Sequence, residues 1–287
     1  MLYTETSDLS TSHVQPLDLQ QLLGRICVRP PYFALRHPRL VQQVFEAEAV
    51  AELPQGLECG PMQGAELSRH AAIAGSCAAA MLQEDDKRRY YLAQEAEYRG
   101  SYSDAPYGTP ILLRARCVEL TKRQARAEVT AFVHGEVLTT LSVLYTILPD
   151  SAFERLFKTR FQPTPHAWAM APLPLSAVEP QGDSLVRIID RVPAAACAGH
   201  FDGYPAMPVA ILMGQLCDLA SHALGGVSFY SPHTTVEAKD FCWAGEQARF
   251  EVRPTSRDGA QVTFACRAWA NEREVGAMSL TVMLTGG

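Results

Sequence analysis

At 287 residues the chain is long for one ordinary domain and short for three, so it holds one large domain or two of about 140 residues, either able to bury a substantial core. Hydrophobic residues make up 47% and charged residues 20%, which excludes extended disorder. Lys+Arg total 25 against Asp+Glu 31, and the resulting net charge of -6 offers no general attraction to phosphate backbones or anionic lipid. Nucleic acid is therefore not an expected partner.

Residues 1–20 are polar and carry acids where a secretory signal needs a basic end and an apolar core, so no signal is expected. Apolar runs stay below the roughly 18 residues needed to span a bilayer, so no membrane span is expected either. Eight cysteines, at 27, 59, 77, 117, 197, 217, 242 and 266, are scattered without a Cys-x-x-Cys pair. They read as free thiols buried in a cytoplasmic protein rather than as a disulfide or metal framework.

In chain order, residues 44–53 read as extended and 64–82 as a helix, followed by strands over 90–98, 111–120, 125–134 and 136–148. Prolines 149, 163, 165, 172, 174 and 180 then mark 149–180 as a linker. This divides the chain into an N-terminal unit (1–148), the linker, and a C-terminal unit (181–287). The second unit opens with a strand over 186–192 and a histidine loop running from His200 to Pro208. Pro208 suits the first turn of a helix over 209–224, which Gly225 and Gly226 stop. Strands follow over 234–241, 247–253 and 261–284, the last broken near Asn271, with Asp258-Gly259 as a hairpin turn.

The two halves repeat. Residues 62–79 lie over 207–224 at a constant offset of 145, which places Leu67 on Leu212 and Ser76 on Ser221. Val129-Thr130 matches Val262-Thr263 at an offset of 133, and 136–148 matches 272–284 at 136. A shared order of helix and strands in both halves argues for duplication.

A central apolar helix wrapped by an antiparallel sheet and repeated once resembles the double hotdog arrangement, an α+β fold in which two units pair through their sheets. The loop His200-Phe201-x-Gly203-x-Pro205-x-Met207-Pro208 resembles the His-Phe-Pro-Gly-x-Pro-x-x-Pro loop of the β-hydroxyacyl thioester dehydratases. That resemblance implies a substrate carried as a thioester on acyl carrier protein or coenzyme A and a site built where the paired units meet; no glycine-rich phosphate loop follows any strand, so no cofactor is expected. The sequence departs from the family fourteen residues after the histidine, where the usual carboxylate is replaced by Gly214, followed by Gln215. Asp218 lies one turn further along the helix on roughly the same face. In the first half the position matching His200 falls near Gln55, so at most one complete site is expected.

Dehydration of a 3-hydroxyacyl thioester needs a base at C2, a donor for the carbonyl oxygen and an acid for the departing hydroxyl. His200 is the candidate base and Asp218 the candidate acid, with the alternative that Asp218 merely bonds His222. Phe201, Gly203 and Gln215 are candidate substrate contacts, the backbone near Gly203 and the helix start supplying donors. On the first helix, Glu66, Arg69, His70 and Ile73 share one face, and Glu66 and His70 are either pocket residues or a pair bound to each other. Leu212, Leu216 and Leu67 are expected to line an acyl tunnel. His134, His166 and His233 lack ligand spacing, so no metal is expected. Arg25, Arg29, Arg36 and Arg39, or Lys87-Arg88-Arg89, would form a basic dock for an acidic carrier, and sheet packing offers a route to a homo-oligomer. The sequence thus points to an acyl-thioester dehydratase or hydratase. A thioesterase in which Asp218 or Glu66 activates water, and a non-catalytic acyl-binding protein, are the alternatives.

Overall fold

The computed structural model describes residues 14–163, 169–174 and 176–285; residues 1–13 of the N-terminal segment and Pro165 and His166 of the linker lie outside them. The first unit runs β1 (Val14–Pro16), α1 (Leu19–Arg25), β2 (Arg36–Val41), β3 (Val44–Ala49), α2 (Gly64–Met81), β4 (Arg89–Gly100), β5 (Ile111–Leu120), β6 (Gln124–Val133) and β7 (Glu136–Pro149). Helix α3 (Asp150–Leu156) and a 3₁₀ turn at Lys158–Arg160 follow it. The second unit comprises β8 (Val178–Gln181), β9 (Ser184–Ile189), a 3₁₀ turn at Ala194–Cys197, α4 (Val209–Ala223), β10 (Phe229–Ala238), β11 (Ala248–Asp258), β12 (Gln261–Ala270) and β13 (Arg273–Leu284).

All strands join one antiparallel sheet in the order β1-β2-β3-β5-β6-β7-β4-β10-β13-β12-β11-β9-β8. The two halves meet at β4 and β10, which pair from His233↔Arg99 to Glu237↔Glu95. Each half of the sheet curls around its own long helix, so the fold is a double hotdog. None of the helices is long and apolar enough to cross a membrane among the described residues.

Alternation on the strands decides which face meets the helix. On β6, Ala125, Ala127, Val129, Ala131 and Val133 point inward, and their small side chains let α2 lie close to the sheet. The approach is tight at Gly75, where an added Cβ would lie 2.6 Å from the Tyr145 hydroxyl. That hydroxyl donates to the Ala72 carbonyl at 2.6 Å and so ties sheet to helix. Around α4 the filling is bulkier, with Leu212, Leu216 and Leu219 among Phe250, Val252, Phe264 and Val282.

The proline-rich segment is not free of regular structure. Its prolines fall at 149 and from 163 onward, leaving 150–162 able to form α3. The helix is held by Phe153, which is fully buried and stacks on Tyr90 at 3.6 Å between ring centroids. The eight cysteines are all unbridged: Cys27, Cys77, Cys197, Cys242 and Cys266 are buried, and Cys59, Cys117 and Cys217 partly so.

Candidate active site

A cavity of about 390 Å³ lies between α2 and α4. Gly64, Ala65, Ser68, Arg69, Ala72, Ile73 and Ser76 form its α2 wall, and Val209, Ala210, Leu212, Met213 and Cys217 its α4 wall. Most of this lining is apolar, which suits a hydrocarbon chain. Leu212 lines it as expected. Leu67 and Leu216 do not: each is buried in the core of its own unit.

His200 and Phe201 sit on the cavity wall at the start of α4. The loop reaches this position because the N-terminal unit clamps it. Val28 bridges to His200, the Arg29 amide donates to Gly199 O at 2.8 Å, and the Tyr32 ring meets the imidazole edge-on at 5.1 Å. Phe201, at φ +81°, stacks on the imidazole at 4.0 Å and continues into the Tyr90–Phe153 cluster. His200 Nδ1 lies 3.0 Å from the Ala206 carbonyl, which can only accept, so Nδ1 carries the proton and Nε2 keeps a lone pair. Burial pushes the imidazole down to about 4, against a smaller opposing effect of the Ala206 carbonyl, so the ring is neutral at physiological pH.

The two helix N-termini differ. At α2 the Glu58 carboxyl group accepts from Gly64 N at 2.8 Å and from the Ser231 hydroxyl at 2.7 Å, so an internal acceptor already occupies that end. Burial raises the Glu58 carboxyl, only partly offset by those two bonds. At α4 the residue ahead of the helix is Pro208, which supplies no side-chain cap. The amides of Val209 and Ala210, both on the cavity wall, have no protein acceptor among the described residues.

Other candidates lie elsewhere. Gly203, at φ +77°, has Phe161 packed against its Cα and gives its carbonyl to Gln162 N at 2.8 Å, and it does not line the cavity. Gly214 faces α2, where a Cβ would stand 3.8 Å from Ala65 Cβ, so the missing carboxylate position is a helix–helix contact. Asp218 and Gln215 turn to the opposite face of α4 and share Arg187, at 2.6 and 3.1 Å. His222 is 3.8 Å from Asp218, beyond hydrogen-bond range. Neither Asp218 nor Gln215 reaches the cavity wall.

Glu66 and His70 are fully buried behind that wall and do not line it, and at 3.9 Å they are not directly bonded to each other. Arg69 is their shared partner: its Nη2 contacts His70 Nε2 at 2.9 Å, lies 3.8 Å from Glu66 and pairs with Glu52. Burial alone would raise the Glu66 carboxyl, but His70, the Glu52 amide and Arg69 together hold it low. Burial, reinforced by Arg69, lowers His70. Ligand atoms of Glu52, Glu66 and His70 fall within 4.8 Å of one another, yet the guanidinium already serves as their cation. The offset of 145 maps Gly214 onto Arg69, so the α2 position equivalent to the family's carboxylate carries a cation on the cavity wall.

Sequence reasoning passed over Glu58, Tyr32 and Ser231, which lie on the cavity but belong to no motif. It also proposed basic docks that are largely paired: Arg25 with Asp86, Arg89 with Asp85, Arg88 with Asp150 and Arg39 with Glu46.

The sequence matches no protein-family profile and no curated protein. Solved structures do resemble it. A protein assigned as an oleoyl thioesterase from Lactobacillus plantarum superposes with a TM-score of 0.60 at 12% identity, over 85% of this chain and 97% of that one. The 12:0-ACP thioesterase from Umbellularia californica gives 0.57 at 10% identity, over 85% and 95%. A hot dog fold protein of unknown function from Alicyclobacillus acidocaldarius gives 0.52 at 15%, over 88% and 96%. At these identities the likeness is one of fold, and it places the chain among double hotdog proteins.

Proposed function

We propose that this protein hydrolyses acyl thioesters, the acyl chain lying between α2 and α4 and the carbonyl meeting the N-terminus of α4. One arrangement carries the reading: His200, whose Nε2 keeps a lone pair, and Val209 and Ala210, whose amides have no protein acceptor among the described residues, line the same mostly apolar cavity. Hydrolysis requires a base for water and donors for the tetrahedral oxyanion, and these groups supply one each. The water attacks the carbonyl carbon, His200 takes its proton, the oxyanion rests on the two amides, and collapse expels the thiolate, which His200 reprotonates. Solved thioesterases of the same fold support this choice.

The loop at His200 favours dehydration as a second reading, but that reaction also needs an acid for the departing hydroxyl. Two carboxylates line the cavity among the described residues. Glu58 is bound to the start of α2, and Asp240 is engaged by Arg273 and the Phe241 amide. Asp240 is taken by Arg273 and Glu58 is tied to the α2 end rather than to the loop at His200, so hydrolysis, in which His200 itself returns the proton to the leaving group, is the better fit.

The test is incubation with a panel of acyl-CoA and acyl-pantetheine thioesters of different chain lengths, with and without a 3-hydroxyl. Release of free thiol, reduced at least a hundredfold by His200→Ala, is the expected result. A loss of 18 Da without thiol release would replace hydrolysis with dehydration, and an inert panel would leave a binding protein.

A further inference from the structure

We propose that Arg29 and Arg88 form a phosphate-binding site beside the loop that carries His200; neither arginine lines the cavity, and the site does not depend on the reaction carried out there. The two residues come together at Cys27. Ile26 bridges to Arg89, which lays residues 26–29 beside the start of β4. Arg88 Nε donates to Cys27 Sγ at 3.2 Å, while Arg29 turns back so that its Nη1 donates to the carbonyls of Ile26 and Val28, the latter at 3.0 Å. Two partly buried guanidiniums therefore flank one cysteine.

Their donors are not used up. In the same basic patch Arg25 pairs with Asp86 and Arg89 with Asp85. Arg88 meets a carboxylate only at Nε, where Asp150 stands at 3.7 Å, beyond a hydrogen bond, and Arg29 has no ion-pair partner among the described residues. Nε and Nη2 of Arg29 and both Nη atoms of Arg88 have no acceptor among the described residues, yet none of them is closed off from solvent. Burial, reinforced by the neighbouring Arg88, holds Arg29 below the usual arginine range, and Asp202 offsets only part of this.

That arrangement sets the ligand's chemistry. A phosphate placed between the two guanidiniums would accept their open N–H groups and remove the repulsion between them. A carboxylate fills one guanidinium fork with one charge and leaves part of that repulsion in place. The phosphate has two sources, free inorganic phosphate or the phosphate of a pantetheine carrier arm. Either would tighten the clamp on the catalytic loop, because the Arg29 amide donates to Gly199 O at 2.8 Å.

The experiment is calorimetry on the whole protein with inorganic phosphate, 4′-phosphopantetheine and pantetheine, ionic strength being matched with chloride. Saturable binding of a phosphate-bearing probe is the expected result. Phosphopantetheine binding at least about tenfold tighter than both pantetheine and inorganic phosphate identifies the carrier arm as the source; inorganic phosphate binding as tightly as phosphopantetheine identifies free phosphate. Arg88→Met and Arg29→Met should each weaken phosphate binding at least about tenfold, whereas Arg123→Met, between β5 and β6, should bind as the parent does. Because Arg29 also holds two backbone carbonyls, Arg88→Met decides the matter if Arg29→Met fails to fold. The assignment is overturned if no phosphate-bearing probe binds saturably, if binding survives Arg88→Met unchanged, or if Arg123→Met weakens it equally. These outcomes read the same whether or not any thioester is hydrolysed.

Discussion

Gly199 and Arg29 are locked back to back: the Arg29 amide donates to the Gly199 carbonyl at 2.8 Å, and the Gly199 Cα is pressed against the Arg29 carbonyl. Gly199 has φ +77°, and an added Cβ would also lie 2.7 Å from Tyr32 N, so only glycine fits. This contact fixes the next residue, His200, against Tyr32. Gly199→Ala should therefore cost about 1–3 kcal/mol of stability from backbone strain and misplace the imidazole. Thermal unfolding should show the first effect. A fall in thioester turnover beyond the folded fraction should show the second, and a variant as active and stable as the parent would mean the clamp is slack.

His200→Gln keeps a polar side chain near the Ala206 carbonyl but provides no base, and turnover should drop by a factor of roughly 10² to 10⁴. In the parent, kcat/KM should stay level from pH 8 down to about 5.5, because the imidazole is held near 4 by burial and is neutral throughout that range. An inflection between pH 6 and 7 assigned to this residue would show that its ring is hydrated.

The same depression has a consequence for folding. The unfolded chain protonates His200 near 6.5, whereas the folded protein does so only near 4, so between these values the unfolded state binds more protons. Stability from this group is complete above about pH 6.5 and is lost as the pH falls toward 4, by at most about 3.4 kcal/mol at about 1.36 kcal/mol per pH unit. Urea titrations of parent and His200→Gln across pH 4 to 7 isolate it. The parent should lose more stability than the variant on acidification, and parallel curves would contradict the buried neutral ring.

The fold was legible because its signals are local and repeated. Helix α2 is foreshadowed by the run from Gly64, α4 by Pro208 and Gly225, and the hairpins by alternation and by Asp258-Gly259. What escaped were the short strands β1, β2 and β8 and the short helix α1, too brief to show a period, and α3, hidden by the prolines at either end. Of the residues the sequence put forward for the site, His200, Phe201 and Leu212 lie on the cavity. Asp218 was drawn into it by a one-turn argument along the helix, but a residue four beyond Gly214 also rotates by some 40°, enough to meet Arg187 on the sheet rather than the cavity. Glu58, Tyr32 and Ser231 come from three distant segments, and no spacing rule links them.

That rotation makes Asp218→Asn an informative control. The carboxylate is half-exposed and pairs with Arg187 on the far side of α4 from the cavity wall. Removing its charge should cost no more than about 1 kcal/mol, as for other exposed ion pairs, and should leave kcat/KM within about twofold. A hundredfold loss in thioester turnover with unchanged melting temperature would instead return Asp218 to the reacting centre.

Gly75 tests the packing that shapes the α2 wall. An added methyl would meet the Tyr145 hydroxyl at 2.6 Å and Ala127 Cβ at 3.0 Å, both fixed, since the hydroxyl is bonded to Ala72 O and Ala127 sits on a central strand. Helix propensity alone would favour alanine over glycine by about 1 kcal/mol. Overpacking typically costs about 1–3 kcal/mol, so Gly75→Ala should be net destabilising. The sign of the change in denaturation midpoint decides between them. Pairing it with Tyr145→Phe, which removes the clashing oxygen along with its hydrogen bond, should recover part of the loss. If the double variant is no more stable than Gly75→Ala alone, the close approach of α2 to β7 is not what the glycine serves.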